Sequence, residues 1–130
     1  MANRTFDNVQ ALNKEVKVIS GQVECTTDES GGGAGDAVWT TLQGIGFSPD
    51  SDGTSGHLKI TLQDKYIGCL SITSNSLQAD ADHHQSVQSE DVAGTKIITL
   101  QNVDTAGAVV AFAENDIVYF TFVLRNSSVQ

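Results

Sequence analysis

The chain has 130 residues, 39% of them hydrophobic, with 12 Gly, a single Pro and a formal net charge of -9. That length fits one domain with a modest core, and 7 scattered Lys and Arg residues form no cluster for neutralising phosphates, so no nucleic-acid partner is expected. No apolar run approaches the ~18 residues that a membrane span requires, and Met1-Ala2-Asn3-Arg4 leads into polar sequence, so neither a membrane partner nor a secretory signal is expected.

Residues 5–14 are the only stretch with helical periodicity. Phe6, Val9 and Leu12 recur three apart, and Thr5 can cap the first turn. A helix this short is marginal alone. Residues 1–14 are therefore read as an N-terminal arm or short helix that becomes ordered by docking its apolar stripe, and residues 15–130 as a single β domain. From Glu15 the pattern is that of strands. Val16 and Val18 alternate with Lys17, then Ile19, Val23 and Cys25 continue on the opposite parity, and the switch around Ser20-Gly21 predicts a β-bulge. Residues 26–36, with Gly31-Gly32-Gly33-Ala34-Gly35, read as flexible loop. A short strand around Trp39 is expected within 38–47, and residues 48–56, with Pro49 and Asp52-Gly53, read as another loop.

Residues 57–63 alternate most cleanly: Leu58, Ile60 and Leu62 inward, Lys59, Thr61 and Gln63 outward, a strand with one wet face. Residues 67–73 follow, with Leu70 and Ile72 sharing a side. A polar, acidic interruption at 80–84 precedes two strands, 85–91 and 96–102, joined through Ala93-Gly94. Residues 104–107 read as a turn and 108–113 as a small-residue strand. The segment 116–125 gathers β-branched and aromatic residues, with Val118, Phe120, Phe122 and Leu124 on one face and Ile117, Tyr119, Thr121 and Val123 on the other. A strand apolar on both faces needs cover on both, so it is predicted to be central. About seven to nine short strands with no helix between them predict an all-β fold. The expected architecture is an antiparallel β-sandwich or barrel, jelly-roll-like, with the N-terminal arm or short helix attached.

The candidates for chemistry are weak. The Gly-rich segment 30–36 lacks the Gly-Lys-Ser/Thr ending of a phosphate loop. Asp50-Ser51-Asp52-Gly53 begins like a calcium loop, but Thr61 stands where the bidentate Glu belongs. Asp80, Asp82, His83 and His84 have donor types that suit a transition metal, yet adjacent histidines on a strand face opposite ways. The neighbours Glu90 and Asp91 meet the same objection as a glycosidase pair, and no nucleophile-elbow pattern accompanies His57. Cys25 and Cys69 have neither a CxxC spacing nor a His at ligand spacing, so two reduced thiols are expected. The expectation is a protein that is not an enzyme and has no metal and no cofactor.

Three segments carry a resemblance. The first is Asn3-Arg4-Thr5-Phe6-Asp7-Asn8-Val9-Gln10-Ala11-Leu12-Asn13-Lys14-Glu15-Val16-Lys17-Val18-Ile19-Ser20-Gly21. The others are Ile60-Thr61-Leu62-Gln63-Asp64-Lys65-Tyr66 and Phe120-Thr121-Phe122-Val123-Leu124-Arg125-Asn126-Ser127-Ser128-Val129. In them the chain resembles small virion proteins of tailed bacteriophages, including marine ones, a group identified with capsid decoration, or cement, proteins. The similarity follows the whole chain in order, while the middle loops diverge, and its motifs are strands rather than a chemical signature. It implies a structural virion protein made in the host bacterial cytoplasm and carried on the outer capsid surface. There it would bind the major capsid protein, stabilise contacts between copies of it, and associate as a homotrimer.

Within that expectation Phe6, Val9 and Leu12 anchor an arm that orders only on the assembled lattice. Trp39 and Tyr119 are the expected subunit-interface residues, because aromatic side chains are enriched at interfaces. The alternative is a tail or fibre-tip module for host recognition or carbohydrate binding, with Trp39, Tyr66 and the His83-His84 loop exposed to the ligand.

Overall fold

Leu58, Ile60 and Leu62 are buried, as their alternation predicts, and they form one wall of a two-sheet core. The computed structural model describes residues 16–28, 37–79 and 82–126. The predicted arm, with Phe6, Val9 and Leu12, lies outside the described residues. These contain eight strands and no helix: β1 (Val16–Thr27), β2 (Val38–Gln43), β3 (Phe47–Asp50), β4 (His57–Leu62), β5 (Gly68–Leu77), β6 (His84–Asp91), β7 (Ile97–Val103) and β8 (Ile117–Arg125). They pair antiparallel into two four-stranded sheets, ordered β2-β1-β8-β5 and β3-β4-β7-β6. The fold is all-β and is the sandwich rather than the barrel.

β8 is central, as predicted, hydrogen-bonded to β1 on one side and β5 on the other. Val118, Phe120, Phe122 and Leu124 point inward and are buried against Leu58, Ile60, Leu62, Ile98 and Leu100 of the facing sheet. The aromatic centre is tightly arranged. Phe120 stacks on Phe122 at 4.6 Å between centroids and takes the edge of Phe47 at 4.8 Å.

The strand pattern departs from expectation in four places. β1 has no phase change at Ser20-Gly21: its register with β8 runs unbroken from Val16↔Arg125 to Glu24↔Ile117. Positions 19, 21, 23 and 25 all face inward, but Gly21 contributes no side chain, so the apolar parity seemed to jump. Val16 and Val18 belong to the outer face instead. The register shifts of β1 lie on the β2 side, between Gln22 and Val23 and between Cys25 and Thr27. Residues 48–50, read as loop, are part of β3. Pro49 lacks an N–H to donate, and an edge strand with one unpaired side tolerates that.

A register shift in β5 between Cys69 and Ser71 separates Leu70 from Ile72, turning Leu70 out to solvent while Ile72 packs against the core. Residues 108–113 make only the bridge Val103↔Val109 rather than a strand. Asp104 Oδ1 accepts the N–H groups of Ala106 and Ala108 and curls the chain, which then delivers Phe112 into the core, edge-on to Trp39 at 4.8 Å.

Cys25 and Cys69 are both reduced and form no disulfide. Cys69 is opposite Leu124 on β8, whereas Cys25 lies just past Glu24, which is opposite Ile117. Seven residues of strand between those β8 positions amount to about 23 Å, far beyond disulfide reach.

Candidate functional site

The loop that begins like a calcium site is closed on its own residues. Asp52 Oδ2 lies 2.8 Å from His57 Nδ1, and Asp52 Oδ1 accepts the Thr54 N–H at 2.9 Å. The Ser51 N–H bonds Asp50 Oδ1, and the Gly53 N–H bonds Ser51 Oγ. Burial works to raise the Asp52 carboxyl, but the His57 bond, the Thr54 N–H and the His57 charge outweigh it and hold the group below its ordinary range. Among the described residues no three His, Cys, Asp or Glu side chains gather as a metal set.

Of the acidic histidine segment, His83 is engaged within the fold. His83 Nδ1 is 3.3 Å from Gln78 Oε1, at the margin of an amide network centred on the fully buried Asn102. Asn102 Oδ1 accepts from Gln78 Nε2 at 2.9 Å and Gln85 Nε2 at 3.1 Å, while its Nδ2 donates to Gln78 Oε1. His84 faces solvent on β6, and Asp80 lies outside the described residues. Glu90 and Asp91 cap the turn between β6 and β7. Glu90 Oε2 accepts the Val92 N–H and Asp91 Oδ2 the Thr95 N–H, each at 2.9 Å.

Of the aromatic residues singled out from sequence, Trp39 and Tyr66 are buried, so neither offers a ring to a partner. That burial lends no support to the interface role expected of Trp39 or to the ligand-facing role expected of Trp39 and Tyr66. Tyr119 differs: it stands 40% exposed at the middle of the outer face of the β2-β1-β8-β5 sheet. The pairing registers set its surroundings. Ser20, Thr121 and Thr73 form one row across β1, β8 and β5, with Ser20 Oγ and Thr121 Oγ1 3.0 Å apart. The next outward row is Gln43, Gln22, Tyr119 and Asn75. Shallow hollows of about 240 and 330 Å³ flank the Tyr119 ring on its β5 and β2 sides.

A second surface lies at the end where β1 begins. Val18 (55% exposed), Ile45 (89%), Ile67 (51%) and Leu70 (59%) are all open there. Gly44 and Gly46, at φ 108° and 91°, form the turn that thrusts Ile45 out. A Cβ on Gly44 would meet the Ser20 carbonyl oxygen at 2.6 Å, so the turn can press against β1 only as glycine. A pocket of about 380 Å³ opens between this turn, Lys17 and Val18 of β1, and Tyr66. Ile67 joins the same end through its N–H bond to the Arg125 carbonyl.

The sequence reading missed Ile45, although an apolar residue between two glycines marks a turn that cannot bury its side chain. It also missed the polar rows, because they assemble from three strands distant in sequence. Compared with known proteins, the chain matches no protein-family profile, no curated protein and no solved structure.

Proposed function

We propose that the protein is a structural component of a tailed-phage virion, a decoration or cement protein. It binds the outer surface of the head and fastens neighbouring major capsid proteins. The resemblance of its opening, middle and closing segments to such proteins supports this reading. Its main structural support is the exposure of four apolar side chains towards the end where β1 begins, Val18, Ile45, Ile67 and Leu70, of which Val18 and Ile45 line one pocket; these suit contact rather than chemistry.

Magnitudes say what else the fastener needs. Completing the burial of four such side chains, each already partly covered, yields on the order of 5 kcal/mol. Association costs about 4–15 kcal/mol in lost freedom and ordering. The apolar end alone therefore does not hold the protein on a shell. Two further elements are attached at that end. Residues 1–14, with Phe6, Val9 and Leu12, precede β1 directly, and β5, the longest edge strand at ten residues, starts there and carries no charge and no proline. Its outer backbone groups suit strand addition, which in this reading joins the subunits of a homotrimer. Repetition over equivalent lattice sites then multiplies a weak single contact.

Purified shells lacking the protein provide the test. The full chain should bind and appear in images over the outer head surface. Deletion of residues 1–12, or Ile45→Asp, should abolish binding while the thermal transition persists. A truncated chain that still saturates the shells would overturn the clamp, and density confined to the tail would overturn the assignment to the head.

A further inference from the structure

We propose that the outer face of the β2-β1-β8-β5 sheet is a binding site for an uncharged saccharide chain, centred on Tyr119. This is independent of the fastening role, because strand addition at β5 would extend the sheet and leave its outer face open.

The first support is composition at a place. In a chain with 16 acidic and 7 basic residues, the two rows around Tyr119 (Ser20, Thr121 and Thr73; Gln43, Gln22, Tyr119 and Asn75) contain no charge. Anionic polymers are disfavoured by the overall charge, and cations find no carboxylate within the rows. What remains is amide, hydroxyl and one aromatic face. A pyranose ring presents the complementary set, with a C–H face that lies on an aromatic ring and equatorial hydroxyls that both donate and accept. Primary amides and hydroxyls answer either role.

The second support is availability. Among the described residues, Gln22, Gln43 and Asn75 make no side-chain hydrogen bond, whereas Gln78, Gln85 and Asn102 bond one another and leave only Gln85 Oε1 without a partner. The third is shape. Gln22 and Asn75 are the direct cross-strand partners of Tyr119, so their head groups stand beside its ring on either side. The two hollows flank that ring along the line from β5 to β2. A ligand following them crosses the strands, and four strands span about 14 Å from first to last, the reach of a short oligosaccharide. At about 240 and 330 Å³ the hollows lie at or below the lower bound of ligand pockets, about 300–1,000 Å³. That suits a chain lying over the sheet with its ends free, not a molecule enclosed.

The test uses the full chain, labelled with nitrogen-15, titrated separately with cellohexaose, laminarihexaose, maltoheptaose and chitohexaose, and with polygalacturonate as the anionic control. At least one neutral probe should shift the amides of Gln22, Thr73, Asn75 and Tyr119 and saturate in the millimolar range, with polygalacturonate weaker. Tyr119→Ala should keep the thermal transition, since the ring is outside the core, and weaken that probe about tenfold. Tyr119→Phe should retain most of the binding. The proposal is overturned if no neutral probe moves these amides, if the shifts fall elsewhere, or if Tyr119→Ala binds the probe as tightly as the parent. It is also overturned if the same amides respond to protein dilution without sugar, which would identify a second copy as the occupant.

Discussion

Replacing Gly21 by Ala tests the tightest approach in the fold. A Cβ built on Gly21 would lie 2.3 Å from Phe47 Cζ, 2.5 Å from Phe120 Cζ and 2.6 Å from Phe47 Cε1. No carbon tolerates such distances, so at least one ring must move. Phe120 is pinned between its stack on Phe122 and the edge of Phe47, so the displacement spreads through the aromatic centre. Overpacking of this kind costs about 1–3 kcal/mol, and a disturbed aromatic pair adds roughly 0.5–1.5 kcal/mol. Against that, Ala in a strand gains about 0.5–1 kcal/mol over Gly by restricting the unfolded chain. The net expectation is a loss of about 1–3 kcal/mol, a fall of roughly 3–12 °C in Tm for a domain of this size. Urea melts at an unchanged slope measure it. Phe47→Leu shortens the nearer ring, so Gly21→Ala should cost less in that background, and a double-mutant cycle reads the coupling. A Gly21→Ala protein as stable as the parent, or a cycle with no coupling, would refute the close approach.

Two further outcomes follow from buried polar groups. Burial raises the Asp116 carboxyl above its ordinary range, and the Ala113 N–H and the charge of His83 oppose this without cancelling it. A raised folded-state pKa contributes stability below the unfolded value of about 4 that is lost as pH climbs through the folded value. Asp116→Asn should therefore gain on the parent as pH rises from about 4 to 8 in thermal scans, and a pH-independent difference would contradict that. Asn102→Ala should lower stability by about 2–4 kcal/mol in denaturant melts, because Gln78 and Gln85 both lose their shared acceptor inside the fold. A loss below about 0.5 kcal/mol would show that the network does not hold β7 to its surroundings.

Where local pattern and burial coincide, the sequence is legible. Leu58, Ile60 and Leu62, and the inward set Val118, Phe120, Phe122 and Leu124, are found as the period-two alternation indicates. Errors arise where a residue's role is set by something distant. Gly21 keeps the phase of β1 yet hides it, because its space is filled by Phe47 and Phe120 from other strands. Pro49 reads as a loop signal until β3 is known to be an edge. Residues 108–113 look like a strand by composition, but their course is governed by Asp104 and by the demand of Trp39 for a partner in Phe112.

The same holds for function. Parity puts Tyr119 on the outer side of β8, but only the registers reveal that Gln22 and Asn75 are its neighbours and that its ring is open. The burial of Trp39 was equally hidden, since nothing in residues 38–43 announces which face Phe112 will cover.

The bond between Ser20 and Thr121 spans 101 positions of sequence, and the pairing of β1 with β8 that carries it constrains the order in which the sheet can form. β8 lies between β1 and β5, so β5 and one edge of β1 stay unpaired until β8 has been made, although β1 can already pair with β2. Hairpins such as β6-β7 can close early, but the sheet built around β8 can only be completed after β8 itself, on the slower timescale of high contact order. A nascent chain stalled before Ile117 would expose the β8-facing edges of β1 and β5, the kind of unpaired strand edge that associates wrongly.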